Sequence, residues 1–110
     1  MSVRTEINGR VLTAYLEGEI DHHSARHMRE IIDASIMSSA PQMLVLDFKD
    51  VTFMDSSGIG LVMGRYKELA NIGGELHITN TTPHITKVMK LAGLERLAVI
   101  GKVDKTNEIK

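Results

Sequence analysis

The chain has 110 residues, of which 43% are apolar and 25% are charged, and this length and composition predict one globular domain and exclude a disordered or fibrous protein. Thirteen basic and 14 acidic residues leave a formal charge of −1, so we expect no direct partner among nucleic acids or membranes, which usually require a basic patch. The absence of cysteine excludes disulfides and thiolate catalysis, and the absence of a signal peptide pattern or of an apolar run near the roughly 20 residues of a membrane span predicts a cytoplasmic protein.

The first third of the chain predicts a β-hairpin followed by a helix. Residues 3–7 alternate apolar with polar, Asn8-Gly9 is a strong hairpin signal, and residues 11–16 form the returning strand. Asp21 is the predicted N-cap of the helix, which residues 38–41 end. Four apolar residues share one face of this helix: Ala25, Met28, Ile32 and Ile36.

The middle of the chain predicts a buried strand joined to a second helix. Residues 43–48 are an almost unbroken apolar run, typical of a strand covered on both faces. After a short connection the helix begins near Ser56 and ends at Gly73-Gly74. Its predicted buried face consists of Ile59, Val62, Met63, Tyr66, Leu69 and Ala70.

The last third predicts a strand, a helix and a final strand. Leu76 and Ile78 mark the strand, and Thr82-Pro83 reads as an N-cap with a first-turn proline. The helix buries Ile85, Val88, Met89 and Ala92, and residues 97–100 form the last strand.

The order ββαβαβαβ predicts an α/β fold for a single domain at 1–110, with its core at about 3–100. We expect a mixed, mainly parallel β-sheet with crossover helices and an N-terminal β-hairpin. Residues 102–110 are polar enough for a short terminal helix or a frayed tail.

Function is expected at the carboxyl ends of the strands. Asp21 follows the second predicted strand and Ser56 follows the third, so the two could be neighbours. A serine at the positive end of a helix is well placed to carry a phosphate. The spacing alone favours a simple helix cap for Asp55-Ser56-Ser57, because capping serines outnumber regulatory ones.

Motif spacing argues against the common enzyme and nucleotide sites. A nucleophile elbow at Ser56 would need glycine where Met54 stands. A dinucleotide fingerprint starting at Gly58 would need its third glycine at Met63, and no lysine has phosphate-loop spacing. We therefore assign no catalytic residue, although a helix N-terminus can still bind an anion weakly.

The histidines and methionines have ordinary interpretations. His23 and His27 stand four apart and could share a metal only with Glu30 or Asp21, so we predict no metal site. Most methionines are predicted core filler, and Met54 is expected to be exposed. The core set is Met28, Met43, Met63 and Met89.

Three stretches resemble one known family. Residues 53–60, Phe-Met-Asp-Ser-Ser-Gly-Ile-Gly, continued by residues 64–67, are similar to the signature of the bacterial anti-sigma-factor antagonists, which are single STAS domains. Residues 18–23 and 72–75 resemble the sporulation branch that antagonises the anti-sigma-F factor. The resemblance runs from about residue 3 to residue 100.

This resemblance implies a phosphorylation switch. The phosphoacceptor would be Ser56, the first serine of the Asp-Ser-Ser-Gly string. The kinase would be the anti-sigma factor, which binds the ATP and ADP, and a metal-dependent serine phosphatase would reverse the reaction. The unphosphorylated chain would bind the anti-sigma factor in its ADP state and release the sigma factor. The chain would thus be a regulatory substrate without a cofactor, not an enzyme.

Each residue of the loop receives an expected role in this switch. Asp21 is expected to contact a basic residue of the partner, and Asp55 to position the loop. Ser57 is expected to cap the helix through its hydroxyl, Gly58 to allow close approach of the kinase, and Ile59 to offer an apolar contact.

Other classes of function remain open from the sequence. Asp21, Asp55 and Ser56 could form the site of a small enzyme or nucleotide-binding protein. The chain could instead be a passive STAS scaffold, or an antagonist of the general-stress type. Indifference to Ser56→Ala would favour the scaffold.

Overall fold

The computed structural model describes residues 3–101, and the expected tail at 102–110 lies outside the described residues. Within these residues the chain forms five strands and three α-helices in the predicted order. The strands are β1 (Val3–Asn8), β2 (Val11–Ile20), β3 (Met43–Met54), β4 (Glu75–Thr79) and β5 (Val99–Gly101). The α-helices are α1 (His22–Ser39), α2 (Ser56–Asn71) and α3 (Pro83–Leu91), and a 3₁₀ turn covers Leu94–Arg96.

The strands lie in one sheet in the order β1-β2-β3-β4-β5. β1 and β2 are antiparallel, and the other three pairings are parallel. This confirms the mixed, mainly parallel sheet and its hairpin, whose turn carries Gly9 at a φ of 65°. Because strand order follows chain order, right-handed crossovers place all three helices on the same face of the sheet.

The core lies between this sheet face and the helices. The buried strand residues include Leu12, Leu16, Leu44, Leu46 and Ile78. Helix α1 buries the four predicted residues Ala25, Met28, Ile32 and Ile36. The opposite face of β3 carries half-buried Met43, Val45 and Asp47, so the prediction that this strand is covered on both faces was wrong.

The end of β3 also differs from the prediction. The strand continues through Met54, because β2 stays paired with it as far as Ile20, across two register shifts near Tyr15 and Gly18. The pairing turns the Met54 side chain inward, where it is 8% exposed, so its predicted exposure was wrong.

The buried face of α2 is rotated from the predicted one. Val62 and Leu69 are buried as expected, but Met63 is 38% exposed and Ala70 is also exposed. Leu61 and Arg65 take their places in the interior. The helix ends as predicted: Gly73 is left-handed, and the Gly74 N–H donates to the Leu69 carbonyl at 2.7 Å.

Helix α3 begins at the predicted cap. The Thr82 hydroxyl accepts from the Ile85 N–H at 3.2 Å, and Pro83 opens the helix. Ile85 and Met89 are buried, whereas Ala92 is exposed, contrary to its predicted place in the core. Strand β5 ends one residue later than predicted, because Gly101 is still paired with Thr79 of β4.

Candidate functional site: two capped helices at the ends of paired strands

Two helix N-termini meet at one edge of the sheet. Ile20 and Met54 end their strands as a register pair, and the Asp55 N–H donates to the Ile20 carbonyl at 3.0 Å. Asp21 and Asp55, the next residues, are the N-caps of α1 and α2. The predicted proximity of the Asp21 and Ser56 connections is therefore confirmed.

The first turn of α2 is organised by Asp55. Its Oδ1 accepts from the Ser57 N–H at 2.7 Å, and its carbonyl accepts from the Gly58 N–H at 3.0 Å. Ser57 was predicted to cap the helix through its hydroxyl, which was wrong, because Ser57 lies inside the first turn and its backbone is the group that is capped. Asp55 positions the loop, as expected.

Ser56 is the first residue of α2, and it is exposed. Within residues 3–101 no hydrogen bond engages its side chain, whereas the neighbouring Ser57 is half-buried. The free hydroxyl therefore stands in solvent at the positive end of a helix of 16 residues.

Asp21 is held by a capping box with Ser24. The Asp21 Oδ1 accepts from the Ser24 N–H at 2.9 Å, and the Ser24 hydroxyl accepts from the Asp21 N–H at 3.0 Å. The Ser24 hydroxyl donates in turn to the Glu19 carbonyl at 2.7 Å. The hydrogen bond from the Ser24 N–H lowers the pKa of the Asp21 carboxyl, against the opposing effect of burial, so Asp21 is a fixed negative charge at neutral pH.

Gly58 is buried, and its expected role in letting a kinase approach requires correction. A Cβ at this position would overlap the Cγ and Sδ atoms of Met54 and would touch Ile20 Cγ2 at 3.4 Å. Packing of α2 against the end of β3 therefore accounts for the glycine. Ile59 is half-buried and packs against the core with only part of its side chain at the surface.

The sequence reasoning missed Phe53. This side chain is 52% exposed, although it lies only two residues before the Asp55 cap. Phe53 turns outward because β3 shifts register against β2 here, which buries Val51 and Met54 three residues apart, and the sequence alone carries no signal for that shift. Along the chain, Phe53 precedes Ser56 and Ile59 follows it.

Among residues 3–101, no carboxylate or histidine side chain is hydrogen-bonded to the Ser56 hydroxyl. The Asp55 carboxylate is committed to a backbone N–H rather than to a serine hydroxyl. His23 and His27 are both exposed on α1. Among residues 3–101, no group of three or more histidine, aspartate or glutamate side chains converges in a way that could hold a metal ion. The arrangement places one free hydroxyl and two carboxylates at this edge of the sheet.

None of the helices between residues 3 and 101 is both long and apolar enough to cross a membrane.

Comparison with known proteins connects this site to a family. The STAS domain family matches residues 2–108. The chain is 33% identical over 100 residues to the anti-sigma F factor antagonist of Paenibacillus polymyxa. These aligned residues cover 91% of this chain and 86% of that protein.

Two solved structures have the same fold and 31% sequence identity. Unphosphorylated SpoIIAA, an anti-sigma factor antagonist, superposes with a TM-score of 0.81 over 96% of this chain and 93% of its own. The phosphorylated form of SpoIIAA, a Bacillus cell fate determinant, gives 0.74 over 96% of both chains. The chain therefore belongs to the STAS domain family, the family of these antagonists.

Proposed function

We propose that the chain is an anti-sigma factor antagonist whose partner binding is switched off by phosphorylation of Ser56. The observation that carries the proposal is the exposed, unengaged Ser56 hydroxyl at the first position of α2, beside the N-cap of α1. The relatives that support it are named antagonists of an anti-sigma factor, and one of them has been solved in a phosphorylated form.

A phosphate at Ser56 is compatible with the fold. It adds about −1.5 to −2 charges at the end of α2 where the helix dipole favours negative charge. Ser56 is exposed, so the phosphate displaces no packed side chain. The switch therefore acts at the surface and leaves the sheet and helices in place.

The surface around Ser56 supplies both charge and apolar contact. Asp21 is an ionised carboxylate that suits a basic partner residue, and Ile59 and Phe53 offer apolar area. Ser57 and Ile59 lie in the first turn of α2, whereas Asp55 caps that turn and Gly58 lets it pack against Met54. A partner matched to a neutral hydroxyl would then meet a phosphate beside existing carboxylates, and each 1.4 kcal/mol of mismatch weakens binding about tenfold.

The partners follow from this switch. The anti-sigma factor would be a serine kinase that binds the ATP and ADP, and a metal-dependent serine phosphatase would restore the hydroxyl. In the unphosphorylated state the chain would release a sporulation sigma factor from the anti-sigma factor in the cytoplasm. The chain itself would act as a regulatory substrate rather than as an enzyme.

The test is intact mass after incubation with the anti-sigma factor kinase of the same organism and ATP. The natural chain and Ser57→Ala should each gain one phosphate, and Ser56→Ala should gain none. Ser57→Ala is the matched control because it removes a hydroxyl one residue away while keeping the Asp55 cap on the backbone.

Other outcomes would redirect the proposal. A phosphate on Ser56→Ala that is lost in Ser57→Ala would move the site by one residue. If a kinase that phosphorylates a relative leaves all three chains unmodified, the passive scaffold takes precedence. As a second readout, Ser56→Asp should weaken binding to the kinase at least about tenfold, which corresponds to 1.4 kcal/mol.

A further inference from the structure

Strand β1 leaves one edge of the sheet open. Within residues 3–101 it pairs only with β2, so along its other side every second residue directs its N–H and C=O away from the sheet. The other edge strand, β5, is only three residues long, whereas β1 has six. β1 contains no proline, and its register with β2 has no bulge, so two common means of blocking an edge are missing from it. Of the two edges in the described structure, β1 is therefore the better able to accept another strand.

The two charged residues of β1 lie on the sheet face opposite the helices. Arg4 and Glu6 flank Thr5, whose hydroxyl lies 3.2 Å from that of Ser35 on α1, so both charged side chains point the other way. The Arg4 guanidinium lies 4.2 Å from the centre of the Tyr15 ring, and Glu6 Oε1 accepts from the Tyr15 hydroxyl at 2.9 Å. Tyr15 thus holds both side chains in place. Within residues 3–101 neither of them forms an ion pair, and both are exposed, so both charges remain available to a partner.

The helix side of β1 ends in an apolar residue that the fold leaves uncovered. Val3 is 2% exposed, whereas Ile7, on the same face, is 54% exposed. Ile7 is paired with Leu12 of β2, which is fully buried. The apolar face of the sheet therefore continues to this edge, and a strand placed beside β1 would cover part of Ile7.

Charge selects one way in which two copies of β1 can pair. A two-fold axis perpendicular to the sheet makes the two edge strands antiparallel and keeps their helix faces on the same side, so residues that face each other must both be odd-numbered or both be even-numbered. Three registers place this axis in the middle of the strand. With the axis at Arg4 or at Glu6, a charged residue faces its own copy, which is destabilising. With the axis at Thr5, Arg4 of each copy faces Glu6 of the other, and Ile7 faces Val3.

From this self-complementarity we propose that the chain forms a two-fold dimer through β1 of a second copy, with the axis at Thr5. The two five-stranded sheets then form one continuous sheet with the helices of both copies on one face. β1 contributes no residue to the site around Ser56, which lies beyond the carboxyl end of β3. Antiparallel pairing places the two Ser56 sites at opposite ends of the joined sheet, so the dimer does not depend on phosphorylation of Ser56.

The test is sedimentation velocity of the natural chain, of Arg4→Glu and of Glu6→Arg over a range of concentrations. Each single variant places like charges opposite each other twice in the dimer, so we expect it to weaken self-association at least about tenfold. An equal mixture of the two variants restores both opposite-charge pairs between unlike chains. The mixture should therefore dimerise as the natural chain does, and this recovery also shows that each variant is folded.

Arg96→Glu and Glu95→Arg are the matched controls, since both residues are exposed on the 3₁₀ turn and the substitutions change net charge by the same amounts. They should self-associate like the natural chain. A natural chain that stays monomeric up to about 1 mM would overturn the dimer.

Two further results would overturn the interface itself. The first is a dimer that tolerates both β1 variants or weakens equally in the controls, which would remove β1 from the contact. The second is a mixture of Arg4→Glu and Glu6→Arg that fails to dimerise, which would exclude the register centred on Thr5. No kinase is present in these measurements, so their failure is distinct from a failure of phosphorylation at Ser56.

Discussion

Two glycines on the first turns of α2 show how differently neighbouring residues are constrained. Gly58 faces the side chain of Met54, and Gly60 faces open space. Both are helical and neither has a positive φ. Their substitution by alanine therefore separates packing from helix propensity.

Gly58→Ala should lower the free energy of unfolding by about 1–2 kcal/mol, because overpacking against buried Met54 and Ile20 outweighs the gain in helix propensity. Gly60→Ala should raise it by about 0.5–1 kcal/mol, since only the propensity term remains. Urea unfolding at constant m-value measures both. Equal effects of the two variants would contradict the packing role of Gly58.

At the scale of the helix, the Asp55 cap fixes where α2 begins and therefore where Ser56 stands. Asp55→Ala should cost about 1 kcal/mol of unfolding free energy, within the 0.5–2 kcal/mol range of lost caps. Asp55→Asn should keep most of the cap's contribution to the unfolding free energy, because an amide oxygen can still accept from the Ser57 N–H. Asp50→Ala, an exposed aspartate on β3, is the control and should stay within about 0.5 kcal/mol.

These cap variants also separate shape from charge at the proposed switch. If Asp55→Asn preserves stability and phosphorylation whereas Asp55→Ala loses both, the carboxylate acts as a cap. Loss of phosphorylation in Asp55→Asn at full stability would instead assign the carboxylate a direct contact with the kinase.

The pairing of α1 with α2 rests partly on the Asp33–Arg65 ion pair. Their side chains are 28% and 6% exposed, so removing one partner leaves a poorly solvated charge. Arg65→Met should cost about 3 kcal/mol, the lower end for a broken buried pair, because Asp33 keeps some solvent. The double variant with Asp33→Asn should cost less than the sum of the single changes.

The Arg26–Glu30 pair on α1 is the control for this cycle. Its side chains are 73% and 59% exposed at 3.8 Å, so breaking it should cost no more than about 0.5 kcal/mol. For each pair, urea unfolding of the natural chain, the two single variants and the double variant gives the coupling free energy between the two side chains. A buried pair that couples no more strongly than the exposed one would contradict its role in joining the helices.

Over the whole molecule, the sequence predicts most features that depend on local chemistry. The caps at Asp21 and Thr82 were readable because each is a short polar side chain just before an apolar period, whereas the cap of α2 is Asp55 and not the expected Ser57. The face of α1 was readable for the same reason, since its four buried residues recur at regular helical spacing.

Features that depend on pairing between elements were not readable. The extension of β3 to Met54 follows from continued pairing with β2, which nothing in residues 49–54 announces. Arg65 was missed because a charged residue is normally placed outside, although its spacing from Leu61 and Leu69 puts it on the buried face.

Two carboxyl groups, those of Asp21 and Glu68, change the stability in opposite directions as the pH rises. The Ser24 N–H lowers the pKa of Asp21, so its contribution is present above the unfolded pKa and is lost as the pH falls through the folded value. Burial raises the pKa of Glu68, the charge of Asp33 raises it further, and Arg65 opposes both. Folding therefore favours protonated Glu68, and stability falls as the pH rises from the ordinary glutamate pKa through the folded value.

Two variants separate these effects in urea unfolding measured across the acid range. Glu68→Gln should stabilise the chain most at neutral pH, where the natural carboxyl is ionised, and the difference should shrink to nothing below the unfolded pKa. Asp21→Asn should remove part of the loss of stability at the acid end. If the difference in unfolding free energy between Glu68→Gln and the natural chain stays constant with pH, the Glu68 carboxyl has the same pKa in the folded and unfolded states. That result would contradict the effect of burial and of the Asp33 charge on Glu68.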